Sequence, residues 1–347
     1  MNSIAQTVLA LLLALTLNAI SGCASKPRPD QRVGGTMDIF FFFDGSGNTP
    51  RSRTNVRRTY EYISGADRPA TVAFYLEGVG DPRHPITGLA FGKGMNNRIE
   101  SMYAELIKIY QPRDRIYVYG FSRGTLMARA FAGLISYAGV PELDTKPRAP
   151  DDYTRIAEQI NDHVKTVEER DYRQQWLSWT PGKSAPVLAT FLKEAGIPWT
   201  LQPVRIEFVG VWDAVPGSAR KTYSDCMEDF GGSEGTRYKT NSYPTIRRLA
   251  HAASIDEKRD RFQLLRVCNP INPSHTTVVE RFFPGSHSDV GGGYENGHSD
   301  LPDISLKWMY GELLLTSYPL ATAATKDLNP KPDGIAHWSR AGLVNVL

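Results

Sequence analysis

The chain has 347 residues, with 40 Lys+Arg against 37 Asp+Glu, 41% hydrophobic residues and a formal charge of +3. This is globular composition, which excludes a disordered chain, a collagen-like repeat and a coiled coil. The basic residues are scattered, which argues against a nucleic-acid partner, and the length fits either one large domain with insertions or two small ones.

In chain order, the first feature is a segment without charged side chains. Met1–Gly22 holds no Lys, Arg, Asp or Glu, and Val8–Leu17 is an apolar run of ten. Such a run falls short of the ~20 residues a membrane-spanning helix needs, but it fits the core of a signal peptide. Ile20-Ser21-Gly22-Cys23 then resembles a bacterial lipobox: an aliphatic residue, two small ones and the thiol that accepts diacylglycerol. The expectation is a lipoprotein signal peptide over 1–22, a lipidated tether over 23–35 attached through Cys23, and a folded domain over 36–347. The alternative is a cleaved secretory peptide with an incidental cysteine. A bridge between the remaining thiols, Cys226 and Cys268, stays open, because two cysteines do not define a framework.

From residue 39 on, strand-like and helix-like stretches alternate without an internal repeat. The pattern predicts an α/β fold, a mostly parallel sheet flanked by helices. Ile39–Phe43 is a continuous apolar run ended by Asp44-Gly45-Ser46-Gly47-Asn48, as in a strand buried on both faces that runs into a loop. Thr71–Leu76 predicts a second strand. Met95–Tyr110 places Ile99, Met102, Tyr103, Leu106 and Ile107 at helical spacing. Arg115–Tyr119 predicts a third strand, and a helix of small residues follows Phe121. Residues 141–203 are polar, helix-rich and bounded by prolines, and they hold Trp176, Trp179 and Trp199; they predict a helical insertion on the loop edge of the sheet. These tryptophans read as core, with an interfacial lid on Trp176 and Trp179 as the alternative. Val204–Val211 and Thr277–Phe283 predict later strands, and Thr245–Arg259, with His251, reads as helix.

Gly120-Phe121-Ser122-Arg123-Gly124 fits G-x-S-x-G between a predicted strand and a predicted helix. Such a turn lifts Ser122 Oγ above the sheet and offers the Arg123 backbone N–H to an oxyanion. The bland alternative is a structural serine in a tight turn. A nucleophilic serine needs a base and an orienting acid, which in this setting follow in the order Ser, Asp/Glu, His. Phe208–Asp213 is an apolar strand that ends on an acid, and Phe282–Asp289 ends a strand in a loop that carries a histidine. Ser122, Asp213 and His287 are therefore the candidate nucleophile, acid and base. Asp256 and Asp289 are rival acids; Asp289, two residues from His287, reads better as a group that shapes the loop behind it. His84, His163, His275 and His298 lack a preceding strand, and His251 reads as a packed helix residue. A metal site of His287, Asp289, His298 and Asp300 is the weaker alternative, since the spacing matches no ligand pattern, and no cofactor is expected.

The segments DGSGNT, EGVG, GFSRG, FVGVWDAV, HAASIDEKRDRF, FPGSHSDVGGGY and LPDISLKWM occur in this order. Together, from about Met37 to Met309, they resemble the catalytic domain of type VI secretion phospholipase effectors of the first lipase class, an α/β-hydrolase domain. The resemblance implies a Ser-Asp-His hydrolase of glycerophospholipid esters, with Ser122, Asp213 and His287 in those roles. It also implies that the loop after the first strand borders the site, so that Gly45 or Ser46 supplies a second oxyanion N–H. Asp44 then either organises that loop or makes an Asx-type turn. Two departures stand out: secreted effectors of this class do not normally carry a lipoprotein signal, and little chain follows Trp308. The chemistry carries over better than the delivery role.

The resulting expectation is a membrane-anchored serine hydrolase of carboxylic esters, with a phospholipid as substrate. The alternatives are another ester substrate, or a non-catalytic envelope lipoprotein on a hydrolase fold. The expected location is the bacterial cell envelope, anchored by the N-terminal lipid and facing the periplasm. Ala24 in place of aspartate after Cys23 slightly favours the outer membrane. An inhibitor or secretion partner is left open.

Overall fold

Alternation of side chains along Asp38–Phe43 sends Ile39, Phe41 and Phe43 into one apolar core and Phe40 and Phe42 into another, so the strand has no solvent face. The computed structural model describes residues 35–49, 51–65, 70–78, 88–143, 148–168, 172–182, 200–215, 238–259, 262–294, 300–320 and 323–337. Cys23, His84, Trp199, Cys226 and His298 lie outside them.

In chain order the elements are β1 (Asp38–Phe43), α1 (Asn55–Gly65), β2 (Thr71–Leu76), α2 (Gly88–Ile109), β3 (Arg115–Phe121), α3 (Arg123–Ala138), β4 (Val140–Glu142), α4 (Pro150–Thr166), α5 (Arg173–Leu177), β5 (Thr200–Gln202), β6 (Ile206–Trp212), β7 (Arg248–Ser254), β8 (Thr277–Phe283), α6 (His287–Gly291), α7 (Asp300–Leu314) and α8 (Ala323–Lys326). Six strands form one sheet in the order β2-β1-β3-β6-β7-β8, and every pairing is parallel. Core residues of α2, α3 and α4 cover one face, and those of α1 and α7 cover the other. This is the α/β-hydrolase-like architecture expected of the sequence. The chain steps from β1 to β2 on one side and then crosses to β3 on the other. That leaves a crevice at the carboxyl ends of β1 and β3, where open α/β sheets bind ligands.

Between residues 140 and 202, β4 and β5 pair antiparallel, and α4 and α5 lie between them in sequence. Trp176 and Trp179 are buried there. Trp176 packs against Tyr137 and Tyr243 at ring-centroid distances of 5.3 and 5.2 Å. They are core residues, and the lid alternative does not hold.

The stretch around His251 requires a correction: Arg248–Ser254 is strand β7, not helix. Alanine favours helix in isolation, but here Ala250 and Ala252 join the core that includes Leu306 and Met309 of α7. Tertiary packing overrides the local propensity. Cys268 is disulfide-bonded, with its partner outside the described residues. Among the described residues no helix is long and apolar enough to cross a membrane.

Candidate active site

Ser122 stands between β3 and α3 at φ 57° and ψ −129°, a positive φ that a residue with a Cβ rarely adopts. The flanking glycines make this turn feasible. A Cβ on Gly124 would stand 2.2 Å from the Phe43 carbonyl oxygen, and one on Gly120 would stand 2.7 Å from that of Gly124. The Ser122 N–H donates to the Trp212 carbonyl at 3.0 Å, which ties the turn to the end of β6, one residue before Asp213.

Asp213 also has a positive φ, 34°, and is buried. Its Oδ1 accepts the Ser254 N–H at 2.7 Å, and its Oδ2 lies 2.5 Å from His287 Nδ1. A carboxylate can only accept, so the proton of this bond sits on Nδ1. The imidazole is thereby left with its lone pair on Nε2, which is buried and has no hydrogen-bond partner. The ring is held by Phe121, stacked at 4.6 Å, and by Phe262, edge-on at 5.0 Å. Gly291 is needed for this packing, because a Cβ there would fall 1.9 Å from the Phe121 ring.

The backbone around His287 is braced by the segment after β7. Asp256 accepts the Gly285 N–H at 2.8 Å, and Glu257 accepts the His287 N–H at 3.2 Å. Burial raises the Glu257 pKa, but its bonds to the Arg259 guanidinium and backbone N–H outweigh that and hold it below the usual range. Asp256, a rival acid, is thus a loop brace. Asp289 does not touch the His287 ring through any bond seen here; it accepts the N–H and hydroxyl of Ser286 at 2.9 and 3.1 Å.

The loop after β1 reaches the same edge. Gly45 lies so close that a Cβ on it would stand 2.9 Å from Ser122 Cβ. Asp44 is fully buried; its Oδ2 accepts the hydroxyls of Thr54 and Tyr75, both at 2.6 Å. Its Oδ1 accepts the Gly45 N–H at 2.7 Å. Burial pushes its carboxyl up to about 6, against the pull of the Thr54, Tyr75 and Gly45 bonds and of Arg57. Thr54 also caps α1, accepting the Arg57 N–H at 3.0 Å.

Several of these groups carry no motif of their own. Thr54 and Tyr75 matter through placement alone, Ser254 and Phe262 lie in the HAASIDEKRDRF segment but had no role read there, and His337, which bonds Asp289, stands in a stretch with no sequence signal. His251 is structural: its Nε2 accepts the Ala214 N–H at 3.2 Å and its Nδ1 meets Glu280 at 2.9 Å. His163 is on α4, and His275 packs edge-on against Trp179. Among the described residues no group of three or more His, Cys, Asp or Glu is arranged to hold a metal. His298, one member of the metal alternative, lies outside them.

The chain is 26% identical over 257 residues to the uncharacterized protein YEL023C of Saccharomyces cerevisiae, covering 68% of this chain and 33% of that one. The crystal structure of an uncharacterized protein from Pseudomonas aeruginosa aligns over 84% of this chain and 47% of its own, at 20% identity and a TM-score of 0.47. The structure of the Tle1 effector bound to the VgrG spike of the Type 6 secretion system aligns over 75% of this chain and 51% of its own, at 18% identity and a TM-score of 0.37. The chain spans about half or less of the length of each of these proteins. The family model of the catalytic domain of T6SS Tle1-like phospholipase effectors matches residues 38–312, a span that includes Ser122, Asp213 and His287. The chain therefore belongs to the family of Tle1-like phospholipase effector catalytic domains.

Proposed function

We propose that this protein hydrolyses carboxylic ester bonds of glycerophospholipids through an acyl-enzyme on Ser122. The carrying observation is the buried Asp213–His287 pair, whose unpartnered Nε2 lies on the same sheet edge as the strained Ser122 turn. His287 Nε2 takes the Ser122 proton as Oγ bonds to the acyl carbon, and Asp213 stabilises the imidazolium. The tetrahedral intermediate collapses, the C–O bond to the glycerol oxygen breaks, and Nε2 returns the proton to that oxygen. Water, deprotonated by Nε2, then releases the fatty acid and restores Ser122.

The developing oxyanion is assigned to the Arg123 N–H, the first of α3, and to the Ser46 N–H. The Gly45 N–H is already engaged by Asp44, which removes it from the pair expected of that loop. Asp44 acts as the loop's organiser. The lipobox-like Cys23 supports an N-terminal lipid anchor in the bacterial envelope, facing the periplasm, with the outer membrane slightly favoured. Family membership supports a phospholipid as the substrate.

The test is fatty-acid release from mixed phospholipid vesicles and hydrolysis of a short-chain soluble ester, by the wild type and by Ser122→Ala. The expected result is release from vesicles that falls by about four orders of magnitude or more in the variant. Activity confined to the soluble ester would keep the triad and overturn the phospholipid assignment. Inactivity of the folded protein on both would leave the non-catalytic reading.

A further inference from the structure

We propose that His337 is a positioning residue for the catalytic base, acting on His287 through Asp289; this rests on His287 being the base. The helix that carries His287 spans only His287–Gly291. One turn of helix is not stable by itself, because nucleation is unfavourable. It is also flanked by glycines at positive φ, Gly285 at 94°, Gly292 at 76° and Gly293 at 119°. Something outside the turn has to fix the direction of the imidazole.

Asp289 is the handle. It stands two residues beyond His287, roughly 200° around the helix, so it grips the turn from the side away from the ring. Its carboxylate is buried and takes five donors. Oδ2 accepts the Ser286 N–H at 2.9 Å, the Ser286 hydroxyl at 3.1 Å and the His337 N–H at 2.9 Å. Oδ1 accepts the Tyr294 hydroxyl at 3.1 Å and His337 Nδ1 at 2.6 Å. Gly285 leaves room for this grip, since a Cβ there would lie 2.4 Å from that of Asp289.

His337 thus supplies a donor to each oxygen, and its ring stacks on Tyr294 at 4.0 Å. It comes from the segment after α8, 25 residues beyond the end of the family match at 312. The clasp thus comes from outside the stretch that the family model matches. A buried carboxylate short of donors turns towards others, and the donors nearest to Asp289 belong to the backbone that carries His287. Losing the Nδ1–H bond should rotate the base out of line without altering the substrate pocket.

The test uses the full chain, a soluble ester and a fluorophosphonate inactivator, with His337→Leu and His337→Asn. The asparagine amide can donate where Nδ1–H does, and leucine cannot. The expected result is a kcat roughly tenfold or more lower in His337→Leu, an unchanged KM and an equal slowing of inactivation, since small misplacements of a catalytic group have effects of that size. His337→Asn should recover most of both rates. Thermal unfolding is followed alongside, and rates are referred to titrated active sites. A His337→Leu protein with a lower melting temperature but a wild-type kcat would overturn the proposal, as would equal losses in the leucine and asparagine variants. Ser122→Ala run beside them separates the two readings: if it stays active, the catalytic assignment fails; if it is dead while His337→Leu is fully active, only the clasp fails.

Discussion

Three buried aspartates at the site differ in the donors around them, and those donors set what each does. Asp213 takes one backbone N–H and the imidazole, which leaves it an orienter of His287. Asp289 takes five donors and holds backbone. The Asp44 carboxyl is pushed up to about 6 by burial. A group that binds its proton more tightly folded than unfolded withdraws stability as pH rises, here between about 4 and about 6. Asp44→Asn removes that dependence. On acidification from pH 7 to pH 4 the wild type should therefore gain on the variant by on the order of 2 kcal/mol. Denaturant unfolding of both proteins across this range measures the difference; a difference independent of pH would contradict the assignment. At this scale the sequence made Ser122, Asp213 and His287 visible because each ends a strand in a recognisable segment. His337 was not visible, because the carboxylate it bonds, Asp289, lies 48 residues away in the chain.

Between elements, close backbone approach is what brings the loops to the serine. Gly78, after β2, sits against the loop after β1: a Cβ there would stand 1.8 Å from the Gly45 carbonyl oxygen, a backbone atom that has to move. Gly78→Ala should displace the Ser46 segment, lowering kcat by roughly tenfold and stability by about 1–3 kcal/mol. Gly311→Ala is the control. That position in α7 has nothing within 4 Å of the added methyl, so stability should hold or rise by up to about 1 kcal/mol. Equal effects of the two substitutions on kcat would contradict this role for Gly78. The elements legible from sequence were those with a two-faced apolar run or clean helical spacing, such as β1, β2 and α2. β7 was not, because Arg248–Ser254 is read through its alanines until β6 and β8 are placed on either side. Its His251 is held between Ala214 and Glu280. Burial raises the Glu280 pKa, but His251, the Val267 N–H and Arg266 outweigh it and bring it down to about 2.

Over the whole molecule, one edge of one sheet collects the site. β1 contributes the Asp44 loop, β3 the serine, β6 the acid, β7 the bracing segment and β8 the histidine. The α/β class and the mostly parallel sheet could be read from the alternation of elements, and the elbow then placed the chemistry at the strands' carboxyl ends. The chain beyond the family match could not be read in this way. Tyr318 packs edge-on against Phe40 and Tyr117 at 5.1 and 5.2 Å, the Asn329 N–H bonds Asp303 at 2.6 Å, and His337 reaches Asp289. Tail residues with no periodic pattern are thus built into the core and the site.

The central claim is that Ser122 is a nucleophile activated by the His287–Asp213 pair. The most direct measurement is labelling of the full chain by a fluorophosphonate, read by mass spectrometry and by rate, for the wild type, Asp213→Asn and Ser122→Ala. The account predicts one equivalent bound at Ser122, a rate roughly a thousandfold lower in Asp213→Asn, and no labelling in Ser122→Ala. Labelling at another residue, or an undiminished rate in folded Asp213→Asn, would contradict it.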